Sequence, residues 1–391
     1  MTVTLPDGAR FRSGVTGTYI SGSDGVVTVP AGDIIAGPST GAITAVLPGA
    51  NVQTALPVRT TGALRYGSNS ANIAAASNAG FVHLSASDNG AVAVKANGEV
   101  WRTTSDAREW VKVGDGGSTE ANQSGYVAFG NGESGDALWI KDGALRYGSN
   151  AANIAAASNS GFVRLSASDN GAVAVKANGE VWRTTSEERP WVKVGDGAST
   201  DANQSGYVNY GAGAPGNALW IQGGALRYGS NSANIPAANN SGFVRVSASD
   251  NGAVAVKANG EVWRTTSEEF AWVKVGDGAS TDANQSGYVN YGAGAPGNAL
   301  WIQGGALRYG SNSANIPAAN NSGFVRVSAS DNGAVAVKAN GEVWRTTSEE
   351  FAWVKVGDGA STDANQSGYV NYGAGAPGNA LWIQTTTTCA V

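Results

Sequence analysis

Side chains that do acid–base or metal chemistry are scarce in this chain. It has one histidine, His83, and one cysteine, Cys389, among 391 residues. Zinc sites built from Cys and His, and nucleophile triads that use a histidine, are therefore excluded. Later copies of a repeated segment carry Arg164, Arg245 and Arg326 where the first copy carries His83. This exchange indicates a strand position that tolerates a polar side chain, so we expect no enzymatic activity, no cofactor and no metal site.

Aromatic and amide residues recur instead at a fixed spacing that suits ligand binding. In three copies a tyrosine precedes the string Gly-Ala-Gly-Ala-Pro-Gly-Asn, and such pairs can stack on and hydrogen-bond a saccharide. The predicted ligand contacts are Tyr210, Asn217, Tyr291, Asn298, Tyr372 and Asn379. The first copy has Phe129 and Asp136 at these positions, so its site is altered. The twelve tryptophans, three per copy, are expected to pack between sheets.

Composition excludes several classes of partner. Charged residues make up 14% of the chain and the net charge is −5, spread thinly, so no basic track for nucleic acid is present. No apolar run approaches the ~18 residues of a membrane span, and we expect no membrane insertion. The N-terminal residues lack the basic and apolar regions of a secretory signal.

The chain copies itself with a period of 81 residues. The string Gly-Ala-Leu-Arg-Tyr-Gly-Ser-Asn begins at Gly62, Gly143, Gly224 and Gly305, and the segments 224–303 and 305–384 are identical. A period of this kind indicates a repeat architecture, in which each unit buries its apolar face on its neighbours. Any ligand that one unit binds is then presented several times.

Each 81-residue unit contains two weaker copies of one pattern of short β-type runs. The runs are rich in Val, Trp, Tyr and Phe, and Asn-Gly pairs such as Asn332-Gly333 predict tight hairpin turns between them. We assign four runs to each half, counting Ile316-Pro-Ala-Ala as the first run of one half and Trp272-Val-Lys-Val as the first run of the other. Repeated four-stranded meanders of about 40 residues are typical of a β-propeller, an all-β fold.

The count of runs predicts an eight-bladed ring. The last blade ends at Trp382-Ile-Gln with three runs of its own, while one run, 62–68, stands unused before the first blade. Pairing this run with the last blade would close the ring and remove two exposed sheet edges. An open or differently closed array is the alternative.

Segments such as Phe324-Val-Arg-Val-Ser-Ala-Ser, Gly341-Glu-Val-Trp-Arg and Trp353-Val-Lys-Val-Gly resemble the tectonin repeat. The resemblance covers roughly residues 62–384. It implies a β-propeller and, since several tectonin-type proteins are lectins, carbohydrate binding. The second half of each unit has Ala-Leu-Trp-Ile-Gln where the first has Ala-Val-Ala-Val-Lys, so a sugar site is not transferred blade by blade.

Residues 1–61 carry no copy of the repeat and alternate turns with short apolar runs. They resemble the small β-rich attachment segments of bacteriophage virion proteins. We therefore divide the chain into an attachment segment (1–61), a propeller (62–384) and a tail (385–391). The expected function is a non-enzymatic phage virion protein, a head decoration or tail fibre on the virion surface. Residues 1–61 would bind a capsid or tail protein, and the propeller would bind host-surface glycans. A free tectonin-like lectin and a decoration without a ligand are the alternatives.

Overall fold

The computed structural model describes, with their side chains, residues 62–128, 135–186, 190–209, 216–290, 297–371 and 378–385; elsewhere it describes only strand backbone. The chain divides into two units, Met1–Ala63 with Thr385–Val391, and Leu64–Gln384. In the first unit, seven short strands form a four-stranded and a three-stranded antiparallel sheet. In sheet order these are Val26–Thr28, Thr2–Thr4, Thr44–Val46 and Gln53–Ala55, then Tyr19–Ser21, Arg10–Arg12 and Ile34–Ala36.

The second unit alternates two types of antiparallel four-stranded sheet. In sheets of the first type the chain runs from a seven-residue inner strand outward, and a two-residue Asp-Asn loop joins the first two strands, with the following glycine as the first residue of the second strand. These sheets are Phe81–Ser87, Gly90–Lys95, Val100–Thr104 and Val111–Gly114; Phe162–Ser168, Gly171–Lys176, Val181–Thr185 and Val192–Gly195; Phe243–Ser249, Gly252–Lys257, Val262–Thr266 and Val273–Gly276; and Phe324–Ser330, Gly333–Lys338, Val343–Thr347 and Val354–Gly357.

Sheets of the second type have a shorter inner strand and a two-residue outer strand. Three of them are Ser124–Val127, Asp136–Lys141, Ala144–Tyr147 and Asn150–Ala151; Ser205–Val208, Asn217–Gln222, Ala225–Tyr228 and Asn231–Ser232; and Ser286–Val289, Asn298–Gln303, Ala306–Tyr309 and Asn312–Ser313. One-turn 3-10 helices follow the outer strands, at Ala75–Ser77, Ala156–Ser158, Ala237–Asn239 and Ala318–Asn320. Within the described ranges, no helix has the length and apolar character needed to cross a bilayer.

The last set of this type joins strands from both ends of the repeat region. Ser367–Val370 pairs with Asn379–Thr388, which pairs with Val58–Tyr66, and Asn69–Ser70 is the outer strand. Val58–Tyr66 also pairs with Phe81–Ser87, so this set and the first of the first-type sheets form one eight-stranded sheet. The Gly67 N–H donates to the Ala380 carbonyl over 2.8 Å, and the Trp382 indole donates to the Gly67 carbonyl over 2.9 Å. These contacts repeat those of the other copies, such as the Trp301 indole to the Gly310 carbonyl.

The predicted grouping of strands was wrong for the outer strand. Val273–Gly276 pairs with Val262–Thr266 and so ends a first-type sheet instead of beginning a second-type one. The six residues between these two strands form a tight turn, which favours antiparallel pairing with the preceding strand. The run Ile316-Pro-Ala-Ala, predicted as a strand, is not one: its residues 318 and 319 belong to the 3-10 turn Ala318–Asn320. The same turn forms after Ala74 in the first copy, so it does not depend on the proline.

Apolar side chains from adjacent sheets interlock between them. Trp301, 1% exposed, packs with Val254 and Val262 of the preceding first-type sheet, in keeping with the packing role predicted for tryptophan. The inner strands approach each other closely, because a Cβ at Gly287 would lie 2.6 Å from the Ala329 Cβ. Each buried Leu, Val or Phe contributes roughly 1.5–3 kcal/mol. Four-stranded antiparallel sheets stacked in this manner, with no α-helix among the described residues, are the architecture of a β-propeller.

Candidate functional site

The predicted contact residues are only partly placed by the structure. Tyr210, Tyr291 and Tyr372, with Phe129 of the first copy, lie outside the described residues. Asn217, Asn298 and Asn379 each begin the second strand of a second-type sheet. The Oδ1 of each accepts a hydrogen bond from the backbone N–H of the next residue over 2.9 Å, and each carboxamide packs against a turn glycine. These asparagines are half-buried, and their hydrogen bonds stabilise the start of the strand.

Each of these asparagines belongs to a larger set of side chains, which we call the junction cluster. In the third repeat it consists of Arg264 and Glu269 from the first-type sheet, and Tyr288, Asn298 and Tyr309 from the following second-type sheet. Burial raises the pKa of Tyr309 to about 12 and that of Tyr288 further, while the nearby Arg264 charge opposes both shifts. Both phenols therefore stay protonated near neutral pH.

The arginine of the junction cluster pairs with a carboxylate whose position in the sequence differs between repeats. Arg264 pairs with Glu269 over 2.6 Å, and the fourth repeat does the same with Arg345 and Glu350. The first repeat has alanine in place of this glutamate, and there Arg102 pairs with Asp136 over 3.0 Å. Asp136 stands where the other repeats have asparagine. The cluster thus keeps one guanidinium–carboxylate pair although the position of the acid has moved.

A strained turn carries the glutamate of this pair. The Glu269 N–H donates to Thr266 Oγ1 and the Phe270 N–H to the Thr266 carbonyl, each over 3.0 Å. Phe270 has a φ of +55°, Phe351 has +56°, and the equivalent Arg108 has +55°. Bulky residues rarely adopt this left-handed conformation. Both phenylalanines are 39% exposed. Neither the residue propensities nor the hydrophobic pattern of the sequence predicts this turn.

A cavity of about 110 Å³ lies between the inner strands of all four repeats. Its lining is polar and includes Asn122, Asn203, Asn284 and Asn365 together with serines of the inner strands. Asn203 donates to Asn284 over 3.4 Å, and Asn365 donates to Asn122 over 3.3 Å. The size and polarity suit a few water molecules. Among the described residues no group of three or more His, Cys, Asp or Glu could hold a metal ion.

Another set of side chains connects consecutive first-type sheets. Ser168 Oγ donates to Asp250 Oδ1 over 2.6 Å, and the Asn170 N–H donates to the same oxygen over 3.2 Å. We call each such contact a latch; the set is Ser87–Asp169, Ser168–Asp250, Ser249–Asp331 and Ser330–Asp88, all at 2.6 Å. Burial raises the pKa of Asp250 to about 8, and the charge of Asp331 adds to the shift. From the sequence, the segment Ser-Ala-Ser-Asp-Asn-Gly predicted only a turn.

The single histidine also acts between sheets. His83 Nε2 contacts the Thr119 carbonyl in the loop that leads to the next sheet, and Arg164 and Arg245 donate from Nε to the equivalent Thr200 and Thr281 carbonyls over 2.8 Å. Burial lowers the pKa of His83. The histidine therefore tethers two sheets, as arginine does in the later copies.

Comparison with known proteins establishes the fold but neither a family nor a function. The chain is similar to Sqt1 of Saccharomyces cerevisiae, with a TM-score of 0.50 and 9% identity over 84% of this chain and 100% of that one. It is also similar to the computationally designed protein Ika8, with a TM-score of 0.46 and 12% identity over 78% and 96% of the two chains. A third similar structure is human WBSCR16, with a TM-score of 0.45 and 9% identity over 78% and 87%. Sqt1 is a β-propeller repeat protein, so the chain belongs to this fold class.

No family model matches the chain. No curated protein matches it either. The fold alone does not specify a function, which must be argued from the sites.

Proposed function

We propose that the repeat region is a ring of eight blades, closed by the strand that contains residues 62–66. The four latches support this ring, since each repeat donates to the next and the fourth donates back to Asp88 of the first. The Gly67 contacts with Ala380 and Trp382 support the closing strand. A closed ring leaves no free inner edge for unwanted pairing.

We propose further that this ring is a tectonin-like, non-enzymatic module that binds glycans on a host surface. Repetition of the junction cluster carries the proposal: a half-buried tyrosine such as Tyr309, a guanidinium and an amide or carboxylate recur at the same place in every repeat, while the other tyrosine, such as Tyr288, is buried and packs between the sheets. Such groups stack on and hydrogen-bond sugars. Weak sites repeated on one rigid body gain avidity without high individual affinity. A single reaction centre would instead need one distinctive repeat.

In this proposal the protein is a phage virion component, a head decoration or tail fibre. Residues 1–61, which lack the repeat and form two small β-sheets, bind a capsid or tail protein. The virion assignment predicts capsid or tail genes on both sides of this gene, and a neighbourhood without them would contradict it. A free lectin would bind glycans without such neighbours, and a decoration without a ligand would have the neighbours and bind no glycan.

The glycan proposal is tested with the full chain on an array of neutral, N-acetylated, uronic and sialic saccharides. We expect binding that falls when the number of intact repeats is reduced. A triple Tyr210→Ala, Tyr291→Ala and Tyr372→Ala variant tests the predicted contact tyrosines and should bind at least about tenfold more weakly. Absence of binding by the wild-type chain to every saccharide would refute the lectin function.

A further inference from the structure

The strained turn of the last two repeats holds a large side chain where a glycine would be favoured. Apart from Arg108 at the equivalent turn, the other described non-glycine residues with positive φ are all Asn or Asp, which tolerate this conformation: Asn122, Asp142, Asn203, Asn284 and Asn365. At the position of Asp142 the later repeats use Gly223 and Gly304. The chain thus places glycine readily where φ is positive.

At the turn itself no repeat carries glycine. The four residues are Arg108, Arg189, Phe270 and Phe351. Strain of this kind persists where the side chain has a task that outweighs its cost. Phe270 and Phe351 are each 39% exposed, so part of each phenyl ring is accessible to solvent.

An ion-paired glutamate and a second glutamate directly precede Phe270 in the chain. Glu269, the residue before Phe270, holds its carboxylate on the Arg264 guanidinium, and Glu268 is exposed beside it. The Thr266 hydrogen bonds fix the turn, so the ring and the ion pair are presented together before a ligand arrives. A partly exposed phenyl ring that lies close in the chain to planar donors and acceptors suits a pyranose, which has a C–H face and equatorial hydroxyls. The two glutamates disfavour acidic sugars.

We propose that Phe270 and Phe351 are stacking platforms for a neutral pyranose. Each works with its own guanidinium–carboxylate pair, Arg264–Glu269 or Arg345–Glu350. This inference rests on the proposed glycan binding and names its sugar class and contact residues. Two equivalent sites per chain follow, one in each of the identical repeats. The first two repeats, with arginine at this position, lack the platform.

The test compares three full-length proteins on the saccharide array and by thermal unfolding. The first is the wild type, and the second is the double variant Phe270→Gly and Phe351→Gly. The third is the control Val273→Ala and Val354→Ala, which trims two residues that are 38% exposed on the outer strands of the same sheets. We expect neutral-sugar binding to fall about tenfold or more in the glycine variant and to be unchanged in the control. The glycine variant should unfold at the same or a higher temperature, since glycine adopts positive φ without strain.

Each outcome decides between the proposals. If the wild type binds neutral sugars and the glycine variant binds equally well, the platform is refuted and the lectin function stands. If the glycine variant loses binding but also melts several degrees lower, the phenylalanines are structural and the platform is refuted. If the wild type binds only acidic sugars, the predicted sugar class is wrong. If the wild type self-associates in gel filtration and the glycine variant does not, a second copy covers the rings and the platform is refuted. If the wild type binds no sugar, the proposed function itself fails and the platform with it.

A second pair of variants distinguishes the size of the side chain from its apolar character. Phe270→Arg and Phe351→Arg introduce the residue that the first two repeats carry at this turn. These changes keep a large side chain on the same backbone but remove the apolar face. Loss of neutral-sugar binding supports stacking by the phenyl rings, and retained binding overturns it.

Discussion

Replacement of one latch serine by alanine tests whether the repeats close into a ring. Ser168→Ala removes a hydroxyl that is buried, 6% exposed, and donates to Asp250 over 2.6 Å. Ser330→Ala removes the equivalent donor to Asp88, 242 residues away in the chain. In a closed ring these two contacts are equivalent, so the two variants should lose equal stability. In an open array Ser330 would have no Asp88 to bind.

The expected loss is about 1.5 kcal/mol for each variant. A hydrogen bond contributes roughly 0.5–1.5 kcal/mol when both partners are neutral and 1.5–3 kcal/mol when one is charged. Burial raises the pKa of the latch aspartates, so we expect their hydrogen bonds to contribute an amount between the neutral and the charged values. The backbone N–H donors to the same oxygens, Asn170 and Asn332, remain in both variants, so neither carboxyl group is left without a donor.

Urea unfolding followed by tryptophan fluorescence measures the loss for Ser168→Ala and Ser330→Ala. Ser230→Ala, at an exposed turn, is the matched control and should be neutral. Ser330→Ala behaving like this control, while Ser168→Ala destabilises, would refute closure. Both variants behaving like the control would refute the energetic role of the latches.

Three other predictions concern the same structure. Asp250→Asn should flatten the pH dependence of the melting temperature. Because the pKa of Asp250 is raised on folding, its protonated form stabilises the folded state fully below about pH 4. This stability is lost as the pH rises through about 8. The wild type should therefore melt at a higher temperature at pH 5 than at pH 9. Glu269→Gln should lower stability by up to about 1 kcal/mol in urea unfolding, because the pair is partly exposed, and Asn298→Asp should restore it by recreating the arrangement of the first repeat. Gly276→Ala should cost about 1–3 kcal/mol by the same assay, since its Cβ would lie 2.4 Å from a ring carbon of Trp301; a neutral effect would contradict the packing described.

Much of the fold was predictable because its signals are local. The 81-residue period, the Asn-Gly pairs and the Val-rich runs predicted short antiparallel strands joined by tight turns, and the structure has them. The turn predicted at Asn332-Gly333 lies one residue earlier, at Asp331-Asn332, because Gly333 pairs with Ser330 in the sheet. The packing role of tryptophan also followed from its fixed offset and is confirmed at Trp301. The assignment of Val273–Gly276 to the following sheet was wrong, because both neighbours offer a strand of suitable composition. Only the geometry of the intervening turn decides between them.

The site was less accessible to sequence reasoning than the fold. An aromatic next to an amide predicted Asn298 as a ligand contact, but its carboxamide also caps its own strand. The exposed Phe270 carried no sequence signal, because its importance lies in a backbone angle. Glu269 and Asp136 occupy different positions in their repeats, yet each forms an ion pair with the equivalent arginine. Only the structure shows that the two acids have the same role.

The sequence by itself determined the strands, the turns and their repetition, since these depend on residues within a few positions of one another. Tertiary structure decided which strands share a sheet and how one repeat contacts the next. Ser168 and Asp250 are separated by 82 residues and Ser330 and Asp88 by 242, and no local pattern encodes such contacts. They form because similar units stacked side by side bring the end of each inner strand against the next, where a buried carboxyl group needs a hydrogen-bond donor.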